Sequence, residues 1–175
     1  LDDKVVTYLP KFKGKQKKYF NHKSNISIKH LLTHSSGLPP FRKYFLMEGN
    51  VESVLDSLYN TEPIYDLEEK TVYSDVGIIT LGKIVEKVSL KDLNTYVEDN
   101  ITDPLGMHTT FFNPPKEKIN RIVPTEINEN NSLIKGYVHD ENAYKLGGVA
   151  GHAGLFSTTN DLATFSQMML NGGIY

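Results

Sequence analysis

The sequence predicts a mostly helical single domain with long ordered loops and a few short strands. Three observations lead to this prediction. Apolar residues recur at helical spacing behind capping residues, residues 111–131 have a loop-like pattern, and residues 147–154 contain four glycines in eight positions. A chain of 175 residues can bury roughly 70% of its unfolded surface, which is enough for one hydrophobic core.

The first third of the chain predicts three helices. Val5 to Leu9 follow an acidic start at helical spacing, and Pro10 ends that helix. The lysine-rich stretch from Lys11 to Lys23 is interpreted as a solvated loop rather than a nucleic-acid patch. Ser27 is a candidate N-cap for a helix over residues 28–34. Asn50 caps the third helix, over residues 51–59.

The clearest helix follows Ser74-Asp75. Its apolar residues between Ile78 and Val88 form a face wide enough for a buried position. Ser89 is the expected cap of the next short helix, whose inward residues are Leu93, Tyr96 and Val97.

The last third of the chain is irregular until its final helix. The sequence predicts one extended segment at residues 121–125 and a polar turn at residues 128–132. Thr158 or Thr159 caps the last helix. Its core face is expected to consist of Leu162, Phe165, Met168, Met169 and Leu170.

Composition excludes several classes of function. Nineteen basic residues against 21 acidic ones give a net charge of -2, which argues against a nucleic-acid-binding protein. Cysteine is absent, so disulfides, thiol catalysis and cysteine-ligated zinc are excluded. The chain starts without an initiator Met and inside a periodic segment, so we interpret it as an internal piece of a longer protein.

Four local patterns are candidates for chemistry. His30 and His34 have the i, i+4 spacing of a metal-binding helix face, but Leu31 stands where a zincin has its glutamate, so no metal site is expected. Ser35 and Ser36 lie beside His34 in the sequence, but adjacent residues rarely point at each other, and a Ser-His pair is defined by tertiary geometry. We therefore do not interpret these serines as catalytic. Ser132-Leu133-Ile134-Lys135 is the one Ser-x-x-Lys string. We interpret it as a chance match, because it follows a turn rich in Asn.

Tyr73 is the fourth candidate. It precedes a strongly apolar helix, which can anchor the residue while its hydroxyl faces a cleft. A tyrosine with a pKa near 10 becomes a base only if nearby cations stabilise its phenolate. The alternative is that Ser74 or Asp75 simply caps the helix.

Five strings, in this order, resemble one known family. They are residues 1–10 (LDDKVVTYLP), 26–39 (ISIKHLLTHSSGLP), 73–77 (YSDVG), 104–107 (PLGM) and 151–158 (GHAGLFST). Together they are similar to the serine β-lactamase-related family, which includes class C β-lactamases, D-alanyl-D-alanine peptidases and related esterases.

The resemblance implies an α+β, β-lactamase/transpeptidase-like fold, of which this chain supplies mostly the helical part. It implies covalent acyl transfer with Tyr73 as the proton relay and no cofactor. Asp75 stands where many members have Asn. Because an ionised Asp cannot donate a hydrogen bond to a substrate carbonyl, this departure leaves esterase-type or cation-anchored variants open. His139 is a candidate for substrate binding, whereas His152 lies in a glycine segment that we interpret as structural.

The resemblance also places the Ser-x-x-Lys nucleophile upstream and a third motif downstream of these residues. The isolated piece is therefore expected to be inactive, and its parent to act on a β-lactam, a peptidoglycan peptide or an ester. The residues themselves give no localisation, and the resemblance suggests an extracytoplasmic or membrane-associated bacterial protein. Two alternatives stay open, a non-catalytic penicillin- or peptidoglycan-binding homologue and a plain helical interaction domain. The apolar faces at residues 78–88 and 162–170 are expected to make the isolated piece dimerise.

Overall fold

The structure, a computed structural model, describes every residue from Leu1 to Tyr175 and divides into two compact units. The first unit comprises Leu1–Leu90 and Ala150–His152, and the second comprises Lys91–Val149 and Ala153–Tyr175. None of the helices combines the length and the apolar character that a membrane crossing requires.

The first unit is built from helices. It contains α1 (Val5–Tyr8), α2 (Phe20–Asn25), α3 (Ile28–Leu32), α4 (Val51–Tyr59) and α5 (Asp75–Ser89), with 3-10 turns at Pro10–Lys13, Lys17–Tyr19 and Tyr44–Leu46. Ser27 and His30 form a reciprocal capping box at the start of α3, and Asn50 caps α4. The side chains that pack between these helices are apolar and fully buried, among them Val5, Phe12, Leu31, Leu58 and Ile79.

The second unit combines short helices with two small antiparallel ribbons. Its helices are α6 (Leu93–Val97), α7 (Glu141–Lys145) and α8 (Thr159–Leu170), with a π-helical turn at Glu98–Thr102 and a 3-10 helix at Lys116–Arg121. Strand β1 (Phe111–Phe112) pairs with β4 (Leu155–Phe156), and β2 (Glu126–Ile127) pairs with β3 (Leu133–Ile134). The long loops predicted between residues 111 and 158 are therefore interrupted by two-residue strands, by the 3-10 helix and by α7.

Several local predictions were wrong. The lysine-rich stretch is not a plain loop, because α2 and two 3-10 turns lie within it and Lys23 is buried. Asp92, not Ser89, caps α6, since Ser89 still belongs to α5. The extended segment predicted at residues 121–125 instead starts with the end of a 3-10 helix, and the strand begins at Glu126.

The predicted core face of α8 was also wrong in detail. Asp161 is the only buried residue of that helix. Phe165 and Met168 are partly covered, but Leu162, Met169 and Leu170 are 51%, 60% and 82% exposed. Apolar spacing identified the helix correctly and did not determine which of its residues are covered.

Candidate active site

The Tyr73-Ser74-Asp75 motif forms the start of α5. Ser74 is the N-cap, and its hydroxyl oxygen accepts a hydrogen bond from the Gly77 amide at 3.2 Å. The same hydroxyl donates to the Pro39 carbonyl at 2.7 Å, and Ser74 is only 1% exposed. A buried cap with both hydrogen-bonding roles satisfied holds the motif at a defined position.

The segment that follows α3, residues 33–40, lies along this motif and supplies its acceptors. The Val72 amide donates to the His34 carbonyl, and the Asp75 amide donates to the Pro40 carbonyl, each at 2.9 Å. The Ser74 amide donates to Nδ1 of His34 at 3.3 Å. Loop 33–40 therefore fixes the backbone on both sides of Tyr73.

The Tyr73 side chain itself is open to solvent, with 55% of its surface exposed. Its ring contacts the His34 ring, with 4.7 Å between the ring centroids and 47° between the ring planes. A phenol that is held at its backbone and accessible at its ring is suited to meet a substrate.

Asp75 is close to a residue that we had interpreted as purely structural. A Cβ on Gly151 would lie 2.4 Å from the Ile78 carbonyl oxygen, so only glycine allows this segment to approach α5 so closely. That approach brings a ring nitrogen of His152 within 4.8 Å of an Asp75 carboxylate oxygen.

His139 lies in the second unit, in the segment just before α7. Its side chain is 66% exposed, and Nε2 is 3.9 Å from a Glu126 carboxylate oxygen. The contact is solvent-exposed, so its contribution to stability is small.

The other patterns considered in the sequence have structural partners. Ser132 lies in the turn of the β2–β3 ribbon, where its amide donates to Oδ1 of Asn128, so the Ser-x-x-Lys string has no helix to bring its ends together. His30 caps α3 and contacts Glu68 at 3.1 Å through Nε2. Nδ1 of His30 accepts from the Ser27 amide and Nδ1 of His34 accepts from the Ser74 amide, so these nitrogens are engaged by the protein itself.

The second unit holds an open cavity of about 360 Å³ that no sequence pattern indicated. Its lining is apolar at Phe111 and Phe156 and carries the cations Lys118 and Arg121. Lys118 is already engaged, since Nζ lies over the Phe111 ring and contacts the His108 carbonyl. None of the predicted site residues lines this cavity.

Comparison with solved structures identifies the class of fold. A class C β-lactamase superposes with a TM-score of 0.75 over all of this chain and 44% of that chain, at 23% identity. An octameric penicillin-binding protein homologue from Pyrococcus abyssi gives a TM-score of 0.69 over 98% of this chain and 39% of that chain, also at 23% identity. The chain thus has the helical part of a β-lactamase/transpeptidase-like fold, and the predicted fold class is confirmed.

Sequence relatives identify the family. A protein named "putative D-alanyl-D-alanine carboxypeptidase" from Escherichia coli is 38% identical over 196 residues, which cover 99% of this chain and 45% of that protein. One of the same name from Salmonella gallinarum is 35% identical, covering 100% of this chain and 46% of that protein. The chain spans about half the length of these curated relatives. The family model described as Beta-lactamase matches residues 1–175, and the chain belongs to that family, as its motifs predicted.

Proposed function

We propose that these residues are part of a serine hydrolase that acts by acyl transfer and that Tyr73 relays the proton. The observation that carries this proposal is the exposed ring of Tyr73 at the start of α5. Hydrogen bonds made by the residues before and after Tyr73 fix the backbone that carries this ring. Membership of the family and the names of its carboxypeptidase relatives support a D-alanyl-D-alanine peptide as substrate. β-Lactams and esters are the other candidate substrates.

In this proposal the nucleophilic serine, with its Ser-x-x-Lys lysine, comes from outside these residues. Tyr73, as phenolate, accepts the serine hydroxyl proton while the serine oxygen forms a bond to the substrate carbonyl carbon. The C–N bond then breaks, and Tyr73 returns the proton to the leaving amine. In the second half-reaction Tyr73 accepts a proton from water while the water oxygen bonds to the acyl carbon, the bond between that carbon and the serine oxygen breaks, and Tyr73 returns the proton to the serine. The phenolate requires a neighbouring cation, because a tyrosine ordinarily has a pKa near 10.

Asp75 narrows the range of substrates. An asparagine in its place could donate an amide hydrogen to a substrate carbonyl, whereas a carboxylate only accepts hydrogen bonds. We therefore propose that Asp75 accepts from an N–H or cationic group of the substrate. His139 remains a proposed substrate-binding residue.

The decisive experiment is intact-mass measurement after reaction with a fluorophosphonate and with a labelled penicillin. It is made on the full-length protein and on the 175-residue segment. We expect an adduct on the full-length protein alone, because the segment lacks the proposed nucleophile. An adduct on the segment would contradict the placement of the nucleophile. Penicillin binding by the full-length protein without any adduct would replace acyl transfer by the binding-homologue alternative.

A further inference from the structure

His34 makes three separate contacts with the motif that contains Tyr73. Its carbonyl accepts the Val72 amide at 2.9 Å, Nδ1 accepts the Ser74 amide at 3.3 Å, and its ring contacts the Tyr73 ring at 4.7 Å between centroids. His34 therefore contacts the residue before Tyr73, the residue after it and the Tyr73 ring.

The backbone of His34 is unusual in a way that these contacts require. Its φ is +55°, in the left-handed region that residues with a Cβ rarely adopt and in which Asn and His are enriched. The turn is anchored independently, since the His34 amide donates to Leu31 and the Ser35 amide donates to His30. With this conformation just after the end of α3, the carbonyl oxygen of His34 accepts from the Val72 amide and Nδ1 of His34 accepts from the Ser74 amide.

The contact between the His34 and Tyr73 rings bears on the orientation of the Tyr73 side chain, which the backbone hydrogen bonds do not determine. A half-exposed tyrosine can rotate about two side-chain torsions, and each rotation moves its hydroxyl by several ångströms. Proton transfer requires the hydroxyl within about 2.6–3.2 Å of its partner, so a freely rotating ring spends much of its time out of range. Packing against the His34 ring limits that rotation.

We propose that His34 is a positioning residue for Tyr73, holding the phenol in the orientation that acyl transfer uses. This inference rests on the proposed function, because it acts through the proton relay assigned to Tyr73. Loss of His34 leaves the Pro39 and Pro40 carbonyls in place as acceptors for Ser74 and Asp75. We therefore expect substitutions of His34 to lower the acylation rate without unfolding α5.

Three substitutions separate the contacts of His34. His34→Phe keeps a ring but has no acceptor for the Ser74 amide. His34→Asn keeps a short acceptor and tolerates positive φ but has no ring. His34→Gly allows the backbone conformation and removes both side-chain contacts. Ser35→Ala is the matched control, because the Ser35 hydroxyl contacts only Thr33 in the same loop.

The test is a double-mutant cycle in the full-length protein with labelled penicillin as the probe. The rate constant of acylation and the concentration at half-saturation are measured separately. We expect His34→Gly to lower the rate constant about 10- to 100-fold, and His34→Phe and His34→Asn to lower it less. Half-saturation should change by less than about 3-fold, and Ser35→Ala should match the wild type. In a Tyr73→Phe background all three His34 substitutions should change the rate by less than about 2-fold, because their effect passes through the phenol.

The outcomes separate this inference from the function on which it rests. If Tyr73→Phe alone leaves acylation unchanged, the proton-relay function fails and His34 has nothing to position. If Tyr73→Phe slows acylation but the His34 variants do not, or slow it equally in both backgrounds, only the positioning role is overturned. Thermal melts accompany each variant, and if His34→Gly does not fold, the Phe and Asn variants carry the comparison.

Discussion

Two polar clusters in this protein each fix the first turn of a helix, and they differ in the exposure of the side chain at that turn. Tyr73, just before α5, is exposed, whereas Asp161 of α8 is buried. At α5 the acceptors all lie in loop 33–40, as the carbonyls of His34, Pro39 and Pro40 and Nδ1 of His34, and the Tyr73 ring stays exposed. At α8 the acceptor is the Asp161 carboxylate, which is only 8% exposed and receives hydrogen bonds from Thr109 and Thr110. In the first cluster the acceptors belong to a neighbouring loop, whereas in the second the acceptor is a carboxylate of the helix itself and is buried.

The largest difference between the clusters should appear when Tyr73 is changed to Phe. In the full-length protein we expect acyl transfer to fall about 100-fold or more, because the phenylalanine ring cannot carry a proton. The melting temperature should stay close to that of the wild type, since the hydroxyl lies on a half-exposed ring. Burst kinetics with an ester or penicillin and a thermal melt measure the two effects. Unchanged acyl transfer would remove Tyr73 from the mechanism.

Asp161→Ala should have the reverse effect, on stability. It leaves the partly buried Thr109 amide and the buried Thr110 hydroxyl without the Asp161 acceptor, so we expect a loss of about 2 kcal/mol in the free energy of unfolding. Urea unfolding of the full-length protein measures it. Asp103→Ala is the matched control, because the Asp103 side chain is exposed and its contact with the exposed His108 ring is long, at 3.9 Å. Equal effects of the two substitutions would contradict the structural role of Asp161.

The pH dependence of that contribution follows from the Asp161 pKa. Burial alone would raise the pKa, but the hydrogen bonds donated by Thr110 and Thr109 outweigh it and hold the pKa below its usual value. A carboxyl whose folded pKa is depressed stabilises the fold above its unfolded pKa of about 3.9, and this stabilisation is lost as the pH falls through the folded value. The wild type should therefore lose more stability than Asp161→Ala below about pH 4.

Lys23 is a buried charge of the opposite sign, and its folded pKa is also depressed, so it should raise the stability with pH in the same direction but in an alkaline range. Its ammonium donates to the Tyr59 and Thr61 carbonyls and lies 4.6 Å from the Phe12 ring centroid. Burial lowers the pKa of Lys23 to about 8. Between that value and about 10.4 the unfolded chain binds more protons than the folded one, so the free energy of unfolding rises with pH.

We expect that free energy to increase by about 1 kcal/mol from pH 7 to pH 9. Lys23→Met should abolish the increase, and Lys29→Met, at an exposed position of α3, should preserve it. Chemical unfolding at both pH values measures the difference. An increase that persists in Lys23→Met would assign it to another group.

The site was predictable from the sequence only where its signals are local. Ser74 as a cap and Tyr73 as a candidate follow from their position before an apolar helix. The contact of His34 with Tyr73 joins residues 39 positions apart and depends on a left-handed turn, so no local pattern announces it. The closeness of His152 to Asp75 depends likewise on the missing Cβ of Gly151.

The fold shows the same division between local and tertiary signals. Apolar spacing located α4, α5 and α8, because each repeats with the helical period. Helix α2 was missed because the lysines before it and within it suggest a solvated segment, although Lys23 contacts two carbonyls and an aromatic ring in the interior. Asp161 looks like an ordinary first-turn acid, and only the tertiary approach of Thr109 and Thr110 makes it the anchor of α8.

The smallest expected effect is on self-association, and it concerns the exposed apolar residues of α8. Leu162, Met169 and Leu170 of α8 are at least half exposed. Contiguous exposed apolar side chains favour association, so we expect the isolated segment to form a weak, concentration-dependent dimer. Leu170→Glu should lower the average mass found by light scattering. Leu133→Glu, at a position of β3 that is 60% exposed, should not. A monodisperse monomer at every concentration would contradict this expectation and would show that α8 can be exposed without association.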